Sequence, residues 1–193
     1  PSGKNTYTPD DAERTTDKNN SVIRVGKELE KELEKRGIKT VHDTNLYDYP
    51  SYAGSYSRAL KGIVNGIKLN PGIKIVIDLH RDSMVDSDNV KYKTVSMING
   101  KPAAQLMFVM GNGESGLPFP NWEKNLSFAV KIQGKIASKN KDLMRPINFR
   151  KDRFNMHATT GSILVEVGTS ANTLEEALNS MAPLADAIAT VVK

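Results

Sequence analysis

The sequence contains no cysteine and no long apolar run. The absence of cysteine excludes disulfides, thiolate zinc sites and cysteine nucleophiles, and it leaves the cellular compartment open. No apolar stretch approaches the roughly 20 residues that a membrane-spanning helix needs, and the first residues are polar rather than signal-like. We therefore expect any export signal or membrane anchor to lie outside this chain.

The chain also lacks a basic cluster interleaved with aromatic residues, although its formal net charge is +5. Because lysines are scattered along the whole length, the charge does not support nucleic-acid binding. The tripeptide His80-Arg81-Asp82 occurs in protein kinases, but the Asn that kinases place five residues after the Asp is replaced here by Ser87. A glycine-rich phosphate loop and Asp-Phe-Gly are also absent, so a phosphotransferase is not supported.

A length of 193 residues with 38% hydrophobic content suits a single compact domain. Residues 1–20 hold almost nothing apolar, which predicts an irregular polar segment followed by one domain over residues 21–193. Apolar periodicity predicts helices over residues 21–36, 55–69 and 121–140, and a last helix that opens with the capping box Thr173-x-x-Glu176. Strands are predicted over residues 38–42, 73–79, 145–149 and 162–168, with a hairpin formed by residues 92–98 and 103–110. This order predicts a three-layer α/β domain with a mainly parallel sheet flanked by helices, plus the β-hairpin as an insertion.

The β-branched run at residues 73–77 ends in the densest cluster of ionisable side chains in the sequence. Such a run predicts a central parallel strand covered on both faces, and ligands of α/β sheets bind beyond the carboxyl ends of the strands. His80 closes this strand, and Glu166 lies near the end of the later buried strand. Neighbouring parallel strands would bring both side chains within reach of one water molecule. Histidine and carboxylate without cysteine suit a divalent metal, with a glutamate as general base.

Each of these residues also has a structural interpretation. A single histidine after an apolar run is more often a hydrogen-bonded structural residue than a ligand. Glu166 is costly to bury unpaired, so it is either functional or salt-bridged to Arg81 or Arg150. His42 and His157 are lesser candidates, for which a surface or packing role is the commoner outcome.

Several ordered blocks of the sequence carry a family resemblance. The strongest are Ile75-Val-Ile-Asp-Leu-His-Arg-Asp82 and Gly161-Ser-Ile-Leu-Val-Glu-Val-Gly-Thr-Ser-Ala-Asn172, and the others are Val-Gly-Lys-Glu-Leu in the first helix, His42-Asp43, and Tyr47-Asp48-Tyr49-Pro50-x-Tyr52 with Tyr56, Ser57 and Arg58. These blocks resemble the stage II sporulation protein P family, whose members are similar in fold to the zinc-dependent N-acetylmuramoyl-L-alanine amidases. Agreement in several separated blocks is more specific than either strand alone.

The resemblance implies a peptidoglycan hydrolase of the sporulation septum. It implies cleavage of the N-acetylmuramoyl-L-alanine amide bond, and an endopeptidase activity on stem-peptide cross-links that the sequence itself does not show. His80 would be a zinc ligand and Glu166 the general base, while Arg81 and Asp82 would orient His80 or the substrate. His42 and His157 are further candidates on the substrate side. The resemblance also implies a location outside the cytoplasmic membrane, with peptidoglycan and other septal wall proteins as partners.

The chain departs from the family pattern at its first metal ligands. The family carries a His and a Glu in a His-Thr-His-x-x-Glu-Ser-Tyr type motif, on a strand immediately before the segment where this chain begins. Residues 1–20 contain no histidine, and the predicted elements begin with a helix. We therefore expect the first strand of the family fold to be missing, the zinc site to be incomplete and zinc binding by this chain to be poor. The alternative function is a non-catalytic module of the same fold that binds peptidoglycan or a partner, and the change Glu166→Gln separates the two.

Overall fold

The computed structural model describes residues 15–192. The helices are α1 (Val22–Lys35), α2 (Ser55–Leu69), α3 (Trp122–Lys139), α4 (Leu174–Asn179) and α5 (Met181–Val192), and a short 3-10 helix covers Met156–Ala158. The strands are β1 (Ile75–Asp82), β2 (Val95–Ile98), β3 (Lys101–Ala104), β4 (Leu106–Gly111), β5 (Asn148–Arg150) and β6 (Gly161–Thr169).

Four strands form the main sheet, in the order β1-β6-β4-β5. β1 runs parallel to β6 and β4 runs parallel to β5, whereas β4 and β6 are antiparallel. β2 and β3 form a separate antiparallel hairpin. The predicted class, a mainly parallel α/β fold flanked by helices with a β-hairpin insertion, is therefore confirmed.

The alternation of side chains along β4 and β6 gives the sheet two different faces. One face packs with α1, α3 and α5 into the main core, which contains Phe108, Ile163 and Val165. The other face carries a small apolar cluster of Met107, Val109 and Leu164, against which Phe154 packs. Side chains alternate between the two faces along each strand, so the same pairing register decides which polar residues lie on this second face.

β1 lies at the edge of the described sheet, so the prediction of a central strand was wrong. Among residues 15–192, β6 is the one strand that pairs with β1, and residues 75–79 are only half-buried. The outer side of β1 faces a largely apolar groove of about 450 Å³, which is also lined by Leu29 of α1 and Ile63 of α2. The β-branched side chains therefore form a wall of this groove instead of being covered by a second strand.

The predicted strand over residues 38–42 is not formed, because this segment packs on two helices instead of joining the sheet. Residues 38–46 have no regular secondary structure. The imidazole of His42 lies against Gly26 of α1, where a Cβ atom would be 2.5 Å from Nε2. The hydroxyl of Tyr47 lies against Gly62 of α2, where a Cβ atom would be 1.8 Å from Oη.

The predicted hairpin strand over residues 103–110 is divided in the structure. Gln105 interrupts it, since its backbone N–H donates to the carbonyl of Thr94 and its carbonyl accepts from the N–H of Gly168. The hairpin therefore ends at Ala104, and β4 leaves it to join the main sheet beside β6.

The predicted last helix is likewise two helices, α4 and α5. α4 begins with the expected capping box, in which the Thr173 side chain accepts from the backbone N–H of Glu176. The break falls at Ser180, whose hydroxyl donates to the carbonyl of Ala104 over 2.5 Å. Pro183 is the third residue of α5 and has no N–H to continue the hydrogen bonds of α4, so the helix restarts instead of continuing.

The predicted polar segment over residues 1–20 lies mostly outside the described residues. Its described part, residues 15–20, has only irregular structure and a turn before Ser21, which caps α1 by accepting from the N–H of Ile23. Within the described part of the chain, none of the helices combines the length and the apolar character needed to cross a bilayer.

Candidate functional site

The candidate site is built on the second face of the sheet, where β1 and β6 run side by side. His80 of β1 lies directly opposite Glu166 of β6 in the parallel register, and Asp78 lies opposite Leu164. Because residues two apart on a strand point to the same face, Asp78 and His80 project together towards the side that carries Glu166. The structure therefore brings together the two residues that the sequence indicated most strongly, and it adds Asp78 to them.

The side chain of His80 is almost completely buried beside a carboxylate. His80 is 2% exposed, and its Nε2 atom lies 3.0 Å from Oδ1 of Asp78. The contact is an ion pair when the imidazole is protonated, and Nε2 has no hydrogen-bond partner of good geometry among the described residues. Burial by itself would raise the pKa of Asp78, but the charge of His80 outweighs it and lowers this pKa to about 2.

Glu166 is half-buried as a residue, and the Oε2 atom of its carboxyl group is buried. Burial raises its pKa to about 7, and the negative charges of Asp82 and Asp78 act in the same direction while His80 opposes them. Its Oε2 atom has no hydrogen-bond partner within residues 15–192.

Aromatic side chains form one wall of the site. The ring of Tyr56, at the start of α2, stacks on His80 with 6.4 Å between ring centroids, and Phe154 lies 5.8 Å from Tyr56 on a tilted plane. The side-chain amide of Asn155 donates to the backbone carbonyl of Tyr56 over 3.0 Å and ties the two segments together. Burial raises the pKa of Tyr56, and the charges of Asp78 and Glu166 raise it further, so this hydroxyl stays protonated beside the two carboxyl groups.

The residues after His80 are displaced by an irregularity in the β1–β6 pairing. The register shifts between His80 and Asp82, so that Asp82 is opposite Thr169. As a result the consecutive residues His80 and Arg81 are both buried, each 2% exposed. Asp82 forms an ion pair with Arg145, with 2.8 Å between Oδ2 and Nη1. Asp82 thus acts on Glu166 through its charge, while its carboxylate is held by an arginine.

The two other candidate histidines have different surroundings. His42 lies against α1, with 3.6 Å between its Nδ1 and Oε2 of Glu30, and burial lowers its pKa. It shares the groove beside β1 with Asp78. His157 lies in the 3-10 helix, shortly after Phe154 in the chain. Burial, together with the positive charge of Arg153, lowers the pKa of His157. A substrate-binding role for His42, His157, Arg81 and Asp82 stays a prediction.

The described residues fit zinc in donor type but do not complete a site for it. Protein zinc sites use histidine nitrogen and carboxylate oxygen, normally as four ligands in total with bound water. His80 Nε2 and Asp78 Oδ1 are donors of this kind, and the unpartnered Nε2 is available to bind an ion. Within residues 15–192, no group of three or more His, Cys, Asp or Glu side chains is arranged to hold a metal.

The sequence analysis assigned no role to two residues of this site, Asp78 and Tyr56. Asp78 could have been found, because it stands two residues before His80 in a predicted strand and must share its face. Tyr56 could not, because its place on the apolar stripe of α2 indicated only packing. Its contact with His80 depends on how α2 is placed against the sheet, which no local pattern specifies.

Two solved structures are similar to this chain. The CwlD amidase from Clostridioides difficile, solved in complex with the GerS lipoprotein, has a TM-score of 0.51 and 19% identity, and the match covers 92% of this chain and 87% of that chain. N-acetylmuramoyl-L-alanine amidase AmiC2 of Nostoc punctiforme has a TM-score of 0.48 and 16% identity, with 89% and 79% covered. The likeness to CwlD shows that this chain has the fold of an amidase.

Comparison of the sequence with a family model identifies the family. The family model for stage II sporulation protein P matches residues 3–189, so the chain belongs to the stage II sporulation protein P family, and the resemblance noted in the sequence is confirmed. No curated protein sequence matches the chain significantly. The family associates this chain with sporulation.

Proposed function

We propose that this chain is the hydrolytic domain of a sporulation protein that cleaves the N-acetylmuramoyl-L-alanine amide bond of peptidoglycan. The observation that carries the proposal is Glu166, a buried carboxyl group opposite His80 whose pKa is raised to about 7. Its Oε2 atom has no hydrogen-bond partner within the described residues, and a carboxyl group with a pKa near neutrality is suited to accept and return a proton.

The proposed reaction is hydrolysis with Glu166 as the proton carrier. Glu166 takes a proton from the attacking water as the water adds to the amide carbonyl, and it returns that proton to the leaving amine. A zinc ion held at His80 would supply Lewis-acid polarisation of the carbonyl and a lower pKa for the attacking water. The Tyr56 ring, on which Phe154 packs, covers one side of His80 and limits the access of other water molecules to the site.

The finer parts of the proposal come from the family. Cleavage of stem-peptide cross-links would be a second activity of the same site, since it also hydrolyses an amide bond. The substrate places the domain outside the cytoplasmic membrane, at the sporulation septum. The CwlD structure contains the GerS lipoprotein, and we extend from it only the idea that septal wall proteins are partners of this chain.

The proposal is tested by identifying the muropeptides that the full-length protein releases from purified cell wall. We expect free stem peptides, and we expect their release to stop when a chelator is added. Glu166→Gln should lower the release rate by about 10²- to 10⁴-fold, since it removes the proton acceptor. Glu175→Gln, the same change at an exposed position of α4, is the matched control and should keep full activity. Unchanged muropeptides with the wild-type protein would refute the proposal.

A non-catalytic module that binds peptidoglycan is the second candidate. It is favoured by the finding that the described residues supply fewer than three metal donors at one point. For such a module, the wild-type protein sediments with cell wall without releasing peptides, and Glu166→Gln does not change the amount bound.

A further inference from the structure

The loop over residues 47–54 exposes two tyrosine side chains beside the candidate site. Tyr49 is 64% exposed and Tyr52 is 46% exposed. The other two tyrosines of this region have their contacts inside the protein, since Tyr47 lies against α2 and Tyr56 stacks in the candidate site. Packing therefore accounts for Tyr47 and Tyr56, but it leaves Tyr49 and Tyr52 largely in contact with water.

The guanidinium group of Arg58 holds this loop in place. Its Nε donates to the carbonyl of Tyr47 over 2.8 Å, and its Nη1 donates to the carbonyl of Ala53 over 3.0 Å. Its Nη2 donates to the carbonyl of Ser51. Gly54 has a φ of +77°, and a Cβ atom there would be 3.2 Å from Nη1, so glycine lets the backbone close on the guanidinium. Because the loop is held before a ligand arrives, binding would cost little conformational entropy.

The exposed tyrosines are continuous with the candidate site. Burial raises the pKa of Tyr56, and a side-chain hydrogen bond with Tyr52 raises it further, so the two tyrosines are in contact. Tyr56 in turn stacks on His80, which lies opposite Glu166. A molecule bound on Tyr52 would therefore lie beside the residues that carry out the proposed reaction.

The chemistry of the loop favours an uncharged ligand. Residues 47–54 contain no lysine, arginine or histidine, and three loop carbonyls accept from the Arg58 guanidinium. The loop thus offers little attraction to an anionic polymer. Its exposed tyrosines combine an apolar ring with a hydroxyl group. A pyranose ring matches them, because its C–H bonds form an apolar face that packs on an aromatic ring while its hydroxyl groups remain free to hydrogen-bond.

We propose that Tyr49 and Tyr52 form a subsite for the sugar rings of the glycan strand, next to the amide bond that is cleaved. The inference rests on the proposed function for the identity of the ligand, because peptidoglycan is the glycan on which that reaction acts. A strand bound on this loop brings the amide linkage of its stem peptide close to Glu166.

Calorimetric titration of the 193-residue chain with glycan strands stripped of their stem peptides tests the subsite. Tyr49→Ala and Tyr52→Ala should each weaken binding by about three- to tenfold, because each removes one stacking ring. Tyr52→Phe keeps the ring and should keep most of the affinity. Tyr92→Ala is the matched control, since Tyr92 is 49% exposed and lies outside the loop, and it should leave the affinity unchanged.

Kinetics give a second readout, with soluble strands that carry stem peptides as the substrate. Tyr49→Ala and Tyr52→Ala should raise KM by about the same factor as they weaken binding and should lower kcat much less, because a subsite binds the strand equally in the ground state and the transition state. A merely structural defect would instead reduce the folded fraction and therefore lower kcat.

Wild-type affinity for the stripped glycan in both alanine variants would overturn the proposal. An equal loss in Tyr52→Phe and Tyr52→Ala would also overturn it, since the hydroxyl group and not the ring would then carry the binding. The competing occupant is the stem peptide. If the alanine variants weaken binding of free stem peptide while the wild-type chain does not bind stripped glycan, the loop is a peptide subsite and the proposal fails.

These results are independent of the test of function, because the stripped glycan contains no amide bond to a stem peptide. Glu166→Gln should retain glycan binding while losing peptide release. If the tyrosine variants bind glycan normally and the wild-type protein releases stem peptides, only the subsite fails. If glycan binding depends on Tyr49 and Tyr52 but the wild-type protein releases no peptides, the subsite stands and the proposed hydrolysis fails.

Discussion

At the scale of single residues, the burial of the Glu166 carboxyl group opposes its ionisation. Below a pH of about 4.5 the carboxyl group is protonated in both the folded and the unfolded chain. Between that pH and about 7 the folded protein holds the proton more tightly than the unfolded chain does, so its stability falls as the pH rises. Above pH 7 the folded protein contains an ionised glutamate, and the full free-energy cost of burying its charge lowers the stability.

The stability of Glu166→Gln should therefore depend on pH. Near pH 4.5 the variant and the wild type should unfold at similar urea concentrations, since neither side chain is charged. At pH 8 the variant should be more stable by up to about 3 kcal/mol, which corresponds to the rise of the pKa from 4.5 to about 7. Urea unfolding in a chelator at both pH values measures this, with Glu175→Gln as control. Equal stabilities at pH 8 would show that Glu166 has a neutralising partner in solution.

The residues at this scale also show what a sequence can and cannot predict. His80 and Glu166 were predicted because each interrupts an apolar strand, where burying a polar side chain costs free energy unless it has a partner or a function. The position of Asp78 on the same face as His80 follows from the period of two along the strand. Tyr56 and Phe154 were given no role at the site, because the contacts of Tyr56 with His80 and with Phe154 join residues far apart in the chain and depend on the packing of α2 against the sheet.

At the scale of elements, the irregular segment over residues 38–46 depends on two glycines in the helices beneath it. The sequence predicted a strand here from alternation alone, but alternation does not show whether a sheet partner is available. In the structure, Gly26 and Gly62 give the close approach that His42 and Tyr47 need. The hydroxyl of Tyr47 donates to Asp43 over 2.5 Å, and this bond with burial raises the pKa of Tyr47 to about 12.

Substituting alanine at two glycines of α2 should have opposite effects. Gly66→Ala should stabilise the protein by about 0.5–1 kcal/mol, because no atom lies within 4 Å of its added Cβ and alanine favours the helix. Gly62→Ala has the same helix propensity gain, but its Cβ would meet the Tyr47 ring, and overpacking of this kind costs about 1–3 kcal/mol. Urea unfolding of both variants measures the difference. If both stabilise equally, the Tyr47 contact is not present in solution.

At the scale of the whole molecule, the sequence predicted the class of the fold but not the position of β1. Helical and strand periodicity predicted α1, α2, α3 and the strands β1 and β6, and it predicted α4 and α5 as one helix. The order of strands was not predictable from the run at residues 73–77, since a β-branched side chain packs equally well under a strand or beside a helix. The groove between β1, α1 and α2 is the part of the architecture that no local pattern indicated.

The described molecule supplies two metal donors at one point, and this sets how well the 193-residue chain should hold zinc. Elemental analysis of the purified and dialysed chain should find well below one zinc per molecule, because sites of high affinity use three or four protein ligands. A fully occupied tetrahedral site would contradict this expectation and would show that residues outside the described range complete it.

Within residues 15–192 the outer edge of β1 pairs with no other strand, and this has a consequence for the behaviour of the protein in solution. Unpaired backbone N–H and C=O groups on a strand edge can hydrogen-bond to any extended segment, including the same edge of another molecule. The net charge of +5 opposes such contacts by repulsion between molecules. Salt screens this repulsion but leaves the backbone groups unchanged. The colloidal stability of the protein is therefore set by ionic strength, and low-salt buffers should keep it dispersed.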